Sequence, residues 1–462
     1  MNRGLLAVAV AAATLATAAP AQAAPLQLGF LDGVFSTGER GPWLQRAADS
    51  GADIVRVDIG WNAATPPTNP RDPADPAYDF TSADASVKAA VADGLDVLAT
   101  FTGAPTWAEG PNRPADAPPA SWRPDPAALE AYGTALATRY DGTYPDPAEP
   151  GQTLPKVRAF QPWNEPNLSK YLSPQWEAGR PVAPNHYRDM LNAFYRGVHA
   201  TASSALVVTA GTAPFGDPGT TGNRMPPARF VRELLCERQT AKRTLQATEC
   251  PDPAHFDVLA HHPYSVGAPT RKALNPDDVS IPDLGKLSTV LRAAERDKLA
   301  LGAPRHRLWV TEVSYDSSPP DPDGIPATTH AGYLSQTFFL LAKAGVDAVF
   351  WFQVRDQAPD PSYAATNQSG IYYLDGRPKP AQKSFRFPFY AHRASKAKVA
   401  LWGRPPTSGT VRIERRAGTA WRTVRTLTVT AGNTFQTTIR ASGASSVRAR
   451  LGDDQTLAWR VR

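Results

Sequence analysis

Segment 160–167, FQPWNEPN, contains the residue types that a proton-transfer site requires. It is a short apolar run that ends in Glu165, with Asn164 directly before it and prolines at positions 162 and 166. Proline disfavours a helix interior and a central strand, so we expect the carboxylate to lie where a strand leaves a sheet. A carboxyl group with a fixed hydrogen-bonding neighbour at such a position can act as a general acid. The alternative is a capped turn that carries a surface glutamate.

A second carboxylate, Glu312, lies near the end of the apolar run 309–313. A lone glutamate in an apolar strand costs free energy unless it is paired, so some group must hold its charge. Two carboxylates about 5 Å apart can cleave a glycosidic bond by double displacement, in which one attacks the anomeric carbon and the other protonates the leaving oxygen. The alternative for Glu312 is a purely structural ion pair with an arginine.

Eight apolar runs predict the strands that must position these carboxylates. The runs are 26–31, 53–61, 95–102, 157–165, 205–211, 256–262, 307–313 and 346–354. Their near-continuous apolar character fits strands buried on both faces of a parallel sheet. Between the runs, apolar residues recur at helical spacing in 78–93, 126–140, 186–202, 283–301 and 328–344. The pattern predicts a (β/α)₈ TIM barrel, whereas the competing doubly wound sheet carries fewer strands and often a glycine-rich phosphate loop, which is absent from this sequence.

Glu165 and Glu312 then end strands four and seven, at the mouth where the active sites of such barrels lie. Three proline-rich stretches, 65–76, 104–126 and 317–328, follow strands two, three and seven and are predicted to shape a cleft at this mouth. The barrel is assigned to residues 24–393.

Residues 394–462 predict a second domain. Short, partly alternating runs at 410–416, 422–430, 434–440 and 446–451, separated by turn residues, are typical of a small antiparallel β-sandwich. From Ser395 to Arg462 there are 13 Lys and Arg against Glu414, Asp453 and Asp454, a net charge of +10, while the whole chain carries +6. Such a module can attract an anionic polysaccharide or an acidic cell envelope. The alternative is that its arginines only keep a small domain soluble.

The first 23 residues have the features of a secretory signal peptide: Arg3, an apolar stretch over 5–19 and a small-residue cleavage site at 21–23. We therefore expect a secreted, extracellular protein without a membrane span. In that compartment Cys236 and Cys250, the only cysteines, can form one disulfide. Two cysteines and scattered histidines do not form a recognisable metal site, and nothing indicates an organic cofactor or nucleic-acid binding.

The motif Asn164-Glu165-Pro166 at the end of strand four, together with Glu312 at the end of strand seven, resembles clan A of the retaining glycoside hydrolases. Segments 101–107 (FTGAPTW), 262–264 (HPY) and 369–380 are similar to family 39 and, to a lesser degree, family 5. The resemblance covers about residues 26–389.

This resemblance implies roles for individual residues. Glu165 would be the acid/base and Glu312 the nucleophile, while Asn164 would bind the sugar hydroxyl beside the anomeric carbon. Tyr264 would orient the nucleophile, with His262 nearby. Arg56 would keep Glu312 ionised, unless it pairs only with Asp58 and is structural. A general acid must stay protonated near the working pH, so burial and the negative partner should raise the pKa of Glu165.

Aromatic residues near strand ends can stack on the apolar faces of sugar rings. Trp61, Trp107, Trp163, Trp176 and Trp351 occupy such positions, and each can instead simply pack a loop. Trp351 is predicted to be the platform at the reacting sugar. Together these features predict a secreted retaining glycoside hydrolase that acts on an oligo- or polysaccharide without a cofactor. The alternative is a non-catalytic glycan-binding protein built on the same barrel.

Overall fold

The computed structural model describes residues 25–202 and 204–461. The predicted signal peptide, residues 1–23, lies outside this part of the chain. Within it, no helix is both long and apolar enough to cross a membrane.

In the described residues, eight parallel strands form the first domain. They are β1 (Gln27–Leu31), β2 (Ile54–Asp58), β3 (Asp96–Phe101), β4 (Ala159–Pro162), β5 (Leu206–Val207), β6 (Ala254–His261), β7 (Ala300–Val313) and β8 (Ala348–Phe352). Their order is β6-β7-β8-β1-β2-β3-β4-β5, and parallel bridges from Val208 to Val258 and from Thr212 to His261 close the ring. Each predicted run overlaps one strand, so the predicted TIM barrel is confirmed.

A helix follows each strand in this part of the chain. The helices are α1 (Arg40–Asp49), α2 (Thr81–Ala92), α3 (Pro126–Arg139), α4 (Ala183–His199), α5 (Pro227–Leu234), α6 (Gly285–Arg296), α7 (Ala327–Lys343) and α8 (Pro380–Arg386). The five helical patterns in the sequence correspond to α2, α3, α4, α6 and α7. The other three helices are short, so their apolar periodicity spans too few turns to separate them from loops.

The second domain is antiparallel. Its strands are β9 (Phe389–Ser395), β10 (Lys398–Gly403), β11 (Gly409–Ala417), β12 (Ala420–Val429), β13 (Phe435–Arg440), β14 (Ser445–Leu451), β15 (Asp454–Gln455) and β16 (Trp459–Val461). One sheet has the order β9-β10-β13 and the other β12-β11-β14-β15, with β16 also paired to β14. Apolar residues between the sheets form a separate core. The predicted boundary at 394 falls inside β9, because the sandwich begins at Phe389.

The sandwich packs on the end of the barrel opposite the mouth. The Arg404 guanidinium donates to the carbonyl of Leu26 at 2.8 Å and to the Asp53 carboxylate at 2.6 Å, and both partners directly precede barrel strands. Phe339 of α7 stacks on Tyr390 of β9, with ring centroids 4.7 Å apart. The basic domain is therefore anchored to the barrel at the end remote from the site carboxylates.

The predicted disulfide is confirmed. Cys236 and Cys250 are bonded with a Cα–Cα distance of 5.9 Å, and the loop between them forms the hairpin Glu237–Gln239 and Leu245–Ala247. Closing a loop of this length stabilises the fold by about 3 kcal/mol in the loop-entropy model.

Candidate active site

The chain turns sharply after β4 and holds Glu165 at the barrel mouth. Trp163 and Glu165 have φ values of 78° and 37°, in the left-handed region that side chains rarely adopt. The turn is held by the indole of Trp163, which is fully buried and donates to the carbonyl of Tyr171 at 2.7 Å. The Glu165 amide donates to the carbonyl of Gly211 at 3.0 Å. Such backbone strain persists only where the surroundings over-determine it, as they do around this carboxylate.

The structure brings the two predicted carboxylates together. One side-chain oxygen of Glu165, one of Glu312 and a ring nitrogen of His262 all lie within 4.8 Å of one another. The two carboxylate side chains are 14% and 18% exposed, so both reach the solvent of the mouth. This separation fits a carboxylate pair that works by double displacement, whereas inverting pairs lie about 6.5–9.5 Å apart.

Two donors hold the charge of Glu312. The Tyr264 hydroxyl donates to Oε1 at 2.7 Å and an Arg56 guanidinium nitrogen to Oε2 at 3.4 Å. Burial raises the pKa of the Tyr264 hydroxyl well above its ordinary value, so it remains a donor. The other Arg56 terminal nitrogen donates to Oδ1 of Asn164 at 3.0 Å. Among the described residues Arg56 makes no hydrogen bond to Asp58, whose carboxylate accepts instead from the amide of Gly60.

Glu165 lies in a different environment. Burial raises its pKa from 4.5 to about 7, and the positive charges of Arg56 and Lys170 only partly oppose this rise. The carboxyl group is therefore protonated over the acidic and near-neutral range, as a general acid requires. Two glutamates within 4.8 Å thus have distinct surroundings: the carboxyl group of Glu165 contacts a neutral imidazole, whereas that of Glu312 is held by a guanidinium and a phenol.

A chain of hydrogen bonds reaches Glu165 from inside the barrel. The Gln161 amide donates to the carbonyl of Thr209 at 2.7 Å, which fixes its orientation, and to Oγ1 of Thr311 at 3.3 Å. Oγ1 of Thr311 is 3.1 Å from Nε2 of His262, whose Nδ1 is 2.9 Å from Oε1 of Glu165.

The tautomer of His262 sets the direction of this hydrogen-bond chain. Burial lowers the pKa of His262 to about 4, so the ring is neutral and carries one N–H. A hydroxyl offers one hydrogen and two lone pairs, so Thr311 can accept from Gln161 and either donate to Nε2 or accept from it. With the ring proton on Nδ1, that N–H donates to Oε1 of Glu165; with the ring proton on Nε2, Nδ1 accepts the acid proton of Glu165.

The close packing around His262 requires a glycine at position 211. A Cβ atom there would lie 2.1 Å from Nε2 of His262 and 2.8 Å from Oγ1 of Thr311. Gly211, Thr311 and Gln161 were missed from the sequence, although Thr311 directly precedes Glu312 and Gly211 ends the fifth apolar run. The adjacent His261 has a different role, because its ring bonds to Thr212 and to the carbonyl of Val279 in the core.

The aromatic predictions need correction. Trp351 is 0% exposed, its indole donates to the carbonyl of Ser369 at 2.8 Å, and its ring packs on Phe338 of α7. Successive side chains of a strand point to opposite faces, and Trp351 points outward to the helix layer. The prediction that it forms a stacking platform for the sugar is therefore wrong.

Trp61 also offers no free face, because it is 5% exposed and stacks on Tyr132 with centroids 5.1 Å apart. Trp107 is half-buried and its indole donates to the carbonyl of Ala63 at 2.9 Å. Of these three predicted aromatic residues, Trp107 alone keeps an exposed part. Trp176, by contrast, lines a groove beside the site.

The donor atoms of Glu165, His262 and Glu312 are close enough to ligate a metal ion. Their present contacts serve hydrogen bonding instead, since His262 bonds to Glu165 and Glu312 bonds to Tyr264. The guanidinium of Arg56, 3.4 Å from Glu312, adds positive charge that opposes a second cation.

No protein-family model matches this chain, and no curated protein is similar to it in sequence. Solved structures are similar in fold. A family 39 glycoside hydrolase from the gut symbiont Bacteroides cellulosilyticus WH2 aligns with a TM-score of 0.56 and 15% identity, over 90% of this chain and 81% of that one. The family 39 enzyme from Xanthomonas axonopodis pv. citri aligns with a TM-score of 0.51 and 16% identity, over 91% of this chain and 93% of that one. A glucosidase from Croceicoccus marinus aligns with a TM-score of 0.51 and 14% identity, over 93% of this chain and 94% of that one. The predicted resemblance is thus confirmed for the fold, which this chain shares with these three solved structures.

Proposed function

We propose that this protein is a retaining glycoside hydrolase. The observation that carries the proposal is the pair of carboxylates at the ends of β4 and β7, with side-chain oxygens no more than 4.8 Å apart. The fold likeness to two family 39 glycoside hydrolases and to a glucosidase supports an activity on glycans.

In the first step a Glu312 oxygen attacks the anomeric carbon while the proton of Glu165 moves to the glycosidic oxygen. The carbon–oxygen bond to the leaving group breaks, and a glycosyl ester of Glu312 forms. In the second step Glu165, now ionised, takes a proton from water, the water oxygen attacks the same carbon and the ester bond breaks. Asn164, oriented by Arg56, can bind the hydroxyl beside the reacting carbon.

The test is a panel of nitrophenyl glycosides, including xylosides, arabinosides, glucosides, mannosides and uronides, run beside a polysaccharide panel. We expect release from at least one β-linked or equatorially related substrate. Proton NMR of the first-formed product should show retention, and an inverted anomer would exclude double displacement. Glu312→Ala should be inactive and, with azide, should form the glycosyl azide of inverted configuration. Binding without release would favour the glycan-binding alternative.

We also infer that the enzyme acts outside the cell, on the basis of residues 1–23 and the disulfide. Expression with this segment in a secreting host should yield a mature protein that starts at Ala24, as measured by intact mass. Intracellular retention of the full-length chain would contradict the inference.

The outer face of the sandwich is the candidate for contact with an anionic polysaccharide or cell envelope. Arg412 and Arg450 are exposed and directly opposite each other on β11 and β14. Like charges at such positions repel, and an anionic polymer would relieve the repulsion. Retention on anionic polysaccharide should fall in the double variant Arg412→Gln/Arg450→Gln, while turnover of a small aryl glycoside should not change. Charge variants suit this test better than truncation after residue 400, which would divide β10.

A further inference from the structure

A groove of about 760 Å³ opens beside the candidate acid. The loops after β3, β4 and β5 build it, and its lining includes Trp122, Ser169, Gln175, Trp176, Thr220 and Asn223. We refer to it as the loop groove. Its volume is in the range of sites that bind organic ligands. These loops belong to Glu165's strand and to its two neighbours in the barrel, whereas Glu312 ends β7 across the mouth.

The loop groove starts close to Glu165. The amide of Leu168 donates to the carbonyl of Glu165 at 2.9 Å, which closes a turn. Cα atoms across such a turn lie within about 7 Å of each other. Ser169 is the next residue and part of the lining, so its Cα lies within about 11 Å of the Cα of Glu165. A group that receives the proton of Glu165 can therefore extend into this groove.

The lining has the chemistry that binds neutral sugars. Trp122 and Trp176 are both half-buried. The Arg123 guanidinium lies 5.3 Å from the Trp122 ring and that of Arg229 lies 4.7 Å from the Trp176 ring, which holds each indole in place. The hydroxyl and amide side chains of the lining, together with the carboxylate of Asp116, match the hydroxyls around a sugar ring, while the indoles match its apolar face.

The walls are tied to one another before any ligand binds. The amide of Arg123 donates to the carbonyl of Ser173 at 3.0 Å, and the amide of Ser169 donates to the carbonyl of Asn223 at 2.8 Å. A salt bridge between Arg123 and Glu177 joins the loops after β3 and β4. A groove built in this way loses little conformational entropy when it binds a ligand.

We propose that the loop groove binds the leaving-group part of the substrate, as further neutral sugar residues attached to the bond that Glu165 protonates. This inference rests on the proposed hydrolase function and deepens it: oligo- or polysaccharides are better substrates than small glycosides. Trp122 and Trp176 are binding residues for the leaving sugars and take no part in the chemical steps.

The test compares two substrates of the sugar that the panel identifies, a nitrophenyl glycoside and an oligosaccharide of four to six residues. In Trp122→Ala, kcat/KM for the oligosaccharide should fall about tenfold or more, equivalent to about 1.4 kcal/mol. For the nitrophenyl glycoside kcat/KM should stay within about twofold, because the aryl group does not fill the groove. The matched control is Trp421→Ala, which removes a half-buried tryptophan from the remote sandwich and should change neither value.

Two results would overturn the inference: an equal loss on both substrates, which indicates a structural role for Trp122, or no loss on either. Failure of the wild type to release product from any aryl glycoside or polysaccharide of the panels would be a failure of the proposed function. The groove is then tested by calorimetric titration of oligosaccharides of four to six residues from the panel's polysaccharides into wild type and Trp122→Ala. A dissociation constant weaker by about tenfold in the variant supports the groove, and equal constants reject it.

Discussion

Replacing Glu165 with glutamine tests the central assignment through two independent quantities. The substitution keeps the size of the side chain and removes its proton transfer. In the wild type the pKa of about 7 predicts that kcat/KM on a substrate with an alcohol leaving group falls tenfold for each pH unit above 7. The variant should lose this limb and be slower by about 10²–10⁴-fold at pH 6.

The leaving group decides whether the acid is needed. A dinitrophenol departs without protonation, so Glu165→Gln should keep most of its glycosylation rate on a dinitrophenyl glycoside. The second step still lacks its base, and product should therefore appear in a burst followed by a slow phase. Azide, which attacks without a base, should accelerate that slow phase and form a glycosyl azide of retained configuration.

The same substitution should change stability in a pH-dependent way. Because the pKa of Glu165 in the folded state, about 7, lies above its ordinary value of 4.5, the folded protein binds the proton more tightly than the unfolded chain. Below pH 4.5 the group is protonated in both states, and the free energy of unfolding is unaffected. Between pH 4.5 and pH 7 the cost of burying the ionised group lowers the free energy of unfolding progressively, and above pH 7 the loss is constant at about 3 kcal/mol. Glutamine avoids this cost, so the gain in melting temperature of the variant should be larger at pH 8 than at pH 5.

The control for both measurements is Glu233→Gln on the outer helix α5. Burial also raises the pKa of Glu233, so its replacement should shift stability in the same direction without altering the activity profile. A Glu165→Gln enzyme that keeps the alkaline limb above pH 7 would refute the assignment of Glu165 as the acid. Equal stability changes at both pH values would refute the burial explanation.

Three further substitutions test the surroundings of the carboxylate pair and a buried ion pair of the barrel domain. Tyr264→Phe removes the hydrogen bond to Glu312, and because bonds to charged groups contribute about 1.5–3 kcal/mol, kcat/KM on an aryl glycoside should fall about 10–150-fold with an unchanged circular dichroism spectrum. Gly211→Ala places a methyl group against His262, so activity should fall and the melting temperature should drop, whereas Gly94→Ala, at an open turn with positive φ, should affect stability alone. The ammonium of Lys379 forms a fully buried ion pair with Asp356 at 2.6 Å, so Lys379→Met leaves a buried carboxylate without its cation. Scanning calorimetry should show a loss of about 3–5 kcal/mol, which would be absent if this ion pair were dispensable.

Much of the architecture is predictable because it depends on local pattern. Apolar runs of strand length alternate with helical periodicity, and a parallel barrel is a compact way to bury such strands on both faces. Counting strands then assigns Glu165 to the fourth and Glu312 to the seventh without any distance being known. The short helices and the start of the sandwich at Phe389 escape prediction because their patterns are too brief to be distinctive.

The sequence pattern of a buried strand does not indicate which side chains face the barrel interior and which face the helices. In a strand buried on both faces, inward and outward residues are equally apolar, so nothing in VDAVFWFQV indicates that Trp351 faces the helices rather than the mouth. The same holds for the β7 strand, where Thr311 contacts His262 inside the barrel and Glu312 reaches the mouth.

The sequence by itself determined the barrel, the two carboxylates at its mouth and the cysteine pair, because strand periodicity and residue type are local properties. Only the tertiary structure decided how the carboxylates differ. Arg56 and Glu312 are separated by 256 positions and meet at 3.4 Å, and His262 meets Glu165 across 97 positions. The burial that raises the pKa of Glu165 depends on how all these segments pack, because desolvation is a property of the whole environment of a group and not of its neighbours along the chain.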